Sequence, residues 1–176
     1  MHVIVGLGNP GPKYEGTRHN IGAAALKELA ERYGMGWSNH KRSNCAIAQG
    51  RIANNPVLLA RPRSMMNLSG QPLKTLMQFY KLSPAQLIVL FDDLELDFGD
   101  VRARSGGGDH GHKGLRSISQ QLGTKEYHKV GIGIGRPPGR MDVASFVLKP
   151  FSKAEQASVP IVLADAADAA EALLHP

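Results

Sequence analysis

A short apolar run rich in β-branched residues, His2 to Leu7, leads straight into glycines, and the segment after it repeats its apolar residues on a helical period. This order constrains the chain more than any other feature. A run of that length bounded by glycines reads as a buried strand, and Ile21, Ala25, Leu29 and Tyr33 place one apolar stripe on a helix from Ile21 to Tyr33. The chain therefore opens strand, glycine-rich loop, helix. Ala46 to Ile52 and Val57 to Ala60 read as a strand pair about the turn-prone Asn54, Asn55 and Pro56. Leu73, Leu76, Met77 and Tyr80 mark a second helix. Ser83, Pro84 and Gln86 form a capping-box pattern that sets one short turn before a strand from Ile88 to Phe91. Beyond Gly106, Gly107 and Gly108, Leu115 to Leu122 reads as a helix closed by Gly123, and Val130 to Ile134 as a strand.

Strands alternating with helices predict a single-domain α/β three-layer sandwich over residues 1–176, with a twisted mixed β-sheet flanked by helices. Ser152 and Glu155 repeat the capping-box signal and open a C-terminal helical region at about 153–175, which Pro160 is expected to break or kink. At 176 residues the chain can bury a core without disulfides or metal. Its single cysteine, Cys45, has no internal partner, and the opening MHVIVGLG lacks the basic flank and length of a signal peptide, so a cytoplasmic setting is expected. The apolar run LIVLF ends at Asp92 and Asp93, far short of a membrane span.

All 21 Lys and Arg lie at or before Lys153 against 11 of the 15 acidic residues, a local balance of +10 that suits a polyanionic partner. Arg102, Arg104, Arg116, Lys125, Lys129, Arg136 and Arg140 are the candidates for meeting the phosphates of such a partner, beside Lys113. Gly6-Leu7-Gly8-Asn9-Pro10-Gly11 has dinucleotide-fingerprint spacing. That reading is weak. Pro10 and Pro12 keep the chain extended until about Thr17, so no helix N-terminus meets a pyrophosphate, and Glu28 and Glu31 fall inside the helix rather than at the end of a second strand. A rigid loop presenting Asn9, Tyr14 and His19 at the carboxyl end of the first strand fits better.

The segment GLGNPGPKYEGTRHNIG, Gly6 to Gly22, resembles the signature of bacterial-type peptidyl-tRNA hydrolases. The resemblance continues through RPRSMMNLSG (Arg61 to Gly70), FDDLELDFG (Phe91 to Gly99), SGGGDHGHKGLRSI (Ser105 to Ile118) and GIGRPPG (Gly133 to Gly139), and thins after Phe151. It implies hydrolysis of the ester between a peptide and the tRNA 3′ end, without a cofactor, by a monomer whose partner is peptidyl-tRNA. It matches His19 to the catalytic base, Asp92 to its supporting carboxylate, and Asn9 and Asn67 to groups that hold the substrate end, with Tyr14, Met65 and Lys113 as further substrate contacts. The chemistry is coherent: water, a base near neutral pH and oxyanion donors suffice for an activated ester. Asp93 is the competing carboxylate, but strand alternation turns it away from the face used by Asp92.

Three positions depart from the family pattern. Lys113 stands where asparagine is usual, offering three donors and no acceptor; Met65 replaces an aromatic ring; and Phe91 precedes Asp92 where histidine is frequent. Asp109, His110 and His112 have no further ligands at recognisable spacing, so no metal is expected, and His110 and His112 read as polar residues at a helix entrance, with His112 a candidate to line the cleft. The runner-up function is a catalytically silent RNA-binding relative, resembling chloroplast intron-splicing factors, which Lys113 makes worth weighing.

Overall fold

The computed structural model describes residues 1–174. Seven strands, β1 (His2–Gly6), β2 (Ser38–His40), β3 (Cys45–Ile52), β4 (Asn55–Pro62), β5 (Leu87–Asp93), β6 (Val101–Ser105) and β7 (His128–Gly133), form one sheet in the order β2-β3-β4-β1-β5-β7-β6. The central strands β4, β1, β5 and β7 are parallel, and β2–β3, β3–β4 and β6–β7 pair antiparallel. The sheet is mixed, as expected. The hairpin turn sits one step earlier than the sequence suggests: Ile52 pairs with Asn55, and Ala53 and Asn54 both take positive φ, the geometry of a two-residue turn whose twist matches its strands.

Helices α1 (Ile21–Arg32), α2 (Gly70–Phe79), α3 (Lys113–Leu122), α4 (Val143–Val147), α5 (Lys153–Gln156) and α6 (Val159–Ala172) cover the two faces. Alternation along the strands divides the core. Ile4, Leu59, Ile88 and Leu90 pack with α1 and α6, while Val3, Val5, Leu58, Val89 and Phe91 pack with α2 and α3. This is the three-layer sandwich. Pro160 does break the C-terminal region, but as the start of a helix: α5 stops at Gln156 and Pro160 lies in the first turn of α6, where its missing N–H costs nothing. Residue 175, the expected end of that region, lies outside the described residues.

Two glycines set how closely α1 approaches the sheet. A Cβ on Gly6 would lie 2.5 Å from the Gly22 carbonyl oxygen, and one on Gly22 would lie 2.3 Å from that of Leu90. With both absent, Leu7 donates to Leu90 and Ala23 to Leu7 through backbone bonds of 3.1 and 3.0 Å. The turn preceding α1 is thereby brought against the end of β5.

Candidate active site

β1 and β4 are neighbouring parallel strands, yet the chain leaves β1 for α1 on one face and β4 for α2 on the other. Such divergence opens a crevice at the carboxyl ends of the strands. At the strand ends it is lined by the loop after β1 with Asn9 and His19, the turn after β4 with Met65 and Asn67, and the end of β5 with Asp92.

Asp92 is 3% exposed and receives two imidazoles. His19 Nδ1 lies 2.8 Å from its Oδ2, and His112 Nε2 lies 2.7 Å from its Oδ1. The tautomer of His112 follows from its other nitrogen. As N-cap of α3, its Nδ1 accepts the backbone N–H groups of Gly114 and Leu115 at 3.1 and 3.3 Å, so the ring proton sits on Nε2 and is donated to Asp92. On His19 the same carboxylate draws the proton to Nδ1, leaving Nε2 basic and, among the described residues, without a protein partner. Burial pushes the Asp92 carboxyl upward, but the two imidazoles, as charges and as donors, outweigh it and hold the group below its ordinary value.

The cavity beside this triad encloses about 640 Å³. Asn9 is held at both ends: its side-chain oxygen accepts from Met66 N at 2.6 Å, and its backbone is cross-linked to the Asn20 amide by two bonds of 2.9 Å. Its side-chain nitrogen has no hydrogen-bond partner among the described residues and so remains a donor for a ligand. Opposite these polar groups, α4 supplies an apolar wall of Val143, Ala144 and Val147. His19, Asp92 and His112 bring potential ligand atoms within 4.8 Å of one another. As arranged, however, Asp92 receives both imidazole N–H groups and His112 Nδ1 faces two amides, a constellation already satisfied by hydrogen bonds.

Residues 3–176 match the family model described as peptidyl-tRNA hydrolase. The chain belongs to the peptidyl-tRNA hydrolase family. A peptidyl-tRNA hydrolase of Corynebacterium efficiens is 60% identical over 169 residues, covering 96% of this chain and 93% of the relative. One of Rhodococcus opacus is 52% identical over 173 residues, covering 98% and 91%. The crystal structure of the Acinetobacter baumannii peptidyl-tRNA hydrolase superposes with a TM-score of 0.88 at 34% identity, covering 98% of this chain and 85% of that one.

The crevice brings together most of the residues picked from the sequence of this hydrolase. His19, Asp92, Asn9, Met65, Asn67 and Lys113 all line it; Tyr14 does not, being half-buried in the short turn Pro12–Tyr14 with Lys13 over its ring. Asn67 is exposed and caps no helix, and Met65 is 40% exposed rather than filling the core. Lys113 is the exposed first residue of α3. Asp93 turns to the other side of its strand, as alternation requires, and pairs with His110 at 3.3 Å, although both residues still line the cavity.

The phosphate candidates divide. Lys129 is corrected: it is fully buried, donates to the carbonyls of Gly106 and Lys125 at 3.1 and 2.7 Å, and lies over the Tyr127 ring, with its ammonium lowered to about 8 chiefly by burial and then by Arg104. It cannot reach an external phosphate. Arg104 is also occupied, by the carbonyls of Gly106 and Gly108, while Arg116 faces Asp109 and Arg136 contacts Glu95. Arg102, Lys125 and Arg140 are exposed and, among the described residues, in no ion pair. His112 lines the cavity, as the sequence suggested, but its bond to Asp92 was not foreseen. Its only sequence signal was a histidine at the mouth of a predicted helix.

Proposed function

We propose that His19 is the general base of the peptidyl-tRNA ester hydrolysis that family membership assigns to this chain. The observation carrying this reading is the 2.8 Å bond from His19 Nδ1 to buried Asp92, which leaves Nε2 as the lone-pair nitrogen beside the cavity. A water held at Nε2 gives up one proton as its oxygen bonds to the ester carbonyl carbon. The carbonyl electrons move to oxygen, and the Asn67 amide and the Lys113 ammonium are the donors available for that oxyanion. When the tetrahedral intermediate collapses, the bond to the ribose oxygen breaks and His19 returns its proton to that oxygen. Asp92 stabilises the imidazolium in between, and His112 keeps Asp92 charged and oriented. Asn9 offers its free amide nitrogen to the carbonyl of the next peptide bond, a group that an unblocked aminoacyl ester lacks.

No observation favours the silent RNA-binding alternative, since base, carboxylate and amide donors are assembled around one cavity. A reducing, cytoplasmic setting accords with the free thiol of Cys45, which burial pushes up to about 11. Among the described residues no helix is long and apolar enough to cross a membrane. The test is release of tRNA from an N-blocked aminoacyl-tRNA, with the unblocked ester as control. Cleavage of the blocked ester alone, lost in His19→Ala, is expected. Full activity in His19→Ala would overturn the assignment of the base, and a large gain in Lys113→Asn would remove Lys113 from the oxyanion role.

A further inference from the structure

Between Glu31 and Asp92 the chain contains no Asp or Glu, but five Arg and three Lys: Arg32, Lys41, Arg42, Arg51, Arg61, Arg63, Lys74 and Lys81. These sixty residues build β2, β3 and β4 at one edge of the sheet, with α2 and most of β5, and they supply eight cations and no acid. Two of the eight meet carboxylates from elsewhere: Arg32 meets Asp168 and Glu171, and Arg61 meets Glu15. Lys41, Arg42 and Arg63 are exposed and, among the described residues, in no ion pair.

The register places these three at the cleft end of the sheet. His40 pairs with Cys45 and Cys45 with Pro62, so the turn between β2 and β3 sits beside the carboxyl end of β4, where Arg63 N donates to Asn44 O at 3.0 Å. Met65 and Asn67 at the cavity follow Arg63 by two and four residues, at most about 7 and 14 Å of chain.

The turn is also rigidly built. Ser43 is buried and bonded to His40 Nδ1 at 2.8 Å, and Asn44 takes a positive φ of 58°. Arg42 lies over the ring of Phe79 at 5.9 Å, and His40 meets the same ring edge-on at 4.6 Å. Phe79 is nonetheless 49% exposed. A guanidinium resting on an aromatic face is oriented in advance and keeps its N–H edge free for a phosphate.

The geometry points to a second interaction surface, Lys41, Arg42 and Arg63 with Phe79, that takes the sugar-phosphate backbone of the tRNA stem while the 3′ end occupies the cavity. It rests on the hydrolase reading above. Its three cations are in no ion pair among the described residues, Glu15 being paired with Arg61, and it runs outward from the rim that holds Asn67.

The decisive measurement compares two substrates, full-length N-blocked aminoacyl-tRNA and the N-blocked aminoacyl ester of adenosine alone, in the parent and in the exposed-site triple variant Lys41→Ala, Arg42→Ala, Arg63→Ala. For full-length substrate KM is expected to rise at least tenfold, with kcat unchanged. The log-log dependence of kcat/KM on salt should become shallower by about 2, at roughly 0.7 to 0.9 per lost phosphate contact. The adenosine ester should be cleaved equally by both proteins. Phe79→Ala should weaken full-length substrate alone, by a few-fold. An unchanged KM and salt slope, the result expected of a protein-docking face, overturns the proposal, as does equal loss on both substrates. Failure of the parent to cleave either substrate overturns the hydrolase reading itself.

Discussion

His19 and His112 reach the same carboxylate from opposite faces of the sheet, and the backbones that carry them are built in opposite ways. The His19 turn is tied down at every step. Asn20 cross-bonds Asn9, Thr17 Oγ donates to Tyr14 O at 2.8 Å, and Thr17 bridges Pro150. Arg18 is the main tie, its guanidinium over Phe146 at 4.1 Å while it donates to Phe146 O and Glu155 at 3.2 and 3.3 Å. The His112 side is a loop in which Gly106, Gly107, His110 and Gly111 all take positive φ. Its glycine carbonyls are held by Arg104 and by the buried Lys129. The difference is one of means: the turn carrying the proposed base is fixed by side-chain ties to neighbouring elements, while the second ring is fixed by its own helix-capping bonds and its bond to Asp92.

If that division is right, His19→Ala should lower kcat by about 10³, within the 10²–10⁴ typical of a positioned base, whereas His112→Ala should cost roughly tenfold. Equal losses in single-turnover assays would break the comparison. Asp92→Asn removes the acceptor common to both rings and should lower kcat about 10²-fold. It also has a stability signature. Because the folded carboxyl titrates below its unfolded value, its contribution is present above about pH 4 and is lost as pH falls through the folded value. The stability gap between parent and Asp92→Asn, followed by acid unfolding, should therefore close below about pH 4.

Arg18→Met keeps bulk against Phe146 and Phe151, whose rings lie 4.1 and 5.6 Å from the guanidinium, but removes the donors, leaving Phe146 O unpartnered, and should cost about 2 kcal/mol in denaturant unfolding. Since Arg18 holds α4, which walls the cavity, KM should rise more than kcat falls. A loss confined to kcat would mean that the residue acts only on His19. The smallest effect belongs to the loop side. Lys129, at about 8 in the folded chain against about 10.4 unfolded, binds fewer protons folded than unfolded between those values, so its contribution to stability rises with pH across that window. Lys129→Met should abolish this rise between pH 8 and 10.5. A parent whose stability tracks the variant across the window would show that the ammonium is not strained by burial.

Much of the frame was legible in residue order. The periodic stripes on α1 and α2, both capping boxes and the glycine after α3 each act within a few residues, and their signals survive in one dimension. β2, with only Ser38 to His40, and β6, with charged Arg102 and Arg104, lacked an apolar run and went unseen; both lie at sheet edges, where burial does not demand one. α4 was missed because five residues are too few to show a helical period.

The sequence by itself determined the α/β alternation and the family, and it singled out His19 and Asp92 as candidates, because ordered motifs and local periodicity are properties of the chain read in order. Only the tertiary structure decided what each charge faces. Lys129 was chosen as a phosphate contact because it is a lysine in a basic stretch, and it proved buried because β7 pairs on both sides and Tyr127 and the Gly106 carbonyl close over it. His112 joined Asp92 across 20 residues because α3 begins where β5 ends, and its tautomer was set by two backbone amides that no spacing rule reveals. Protonation and ion pairing depend on neighbours within a few ångströms, and those neighbours are assigned by folding.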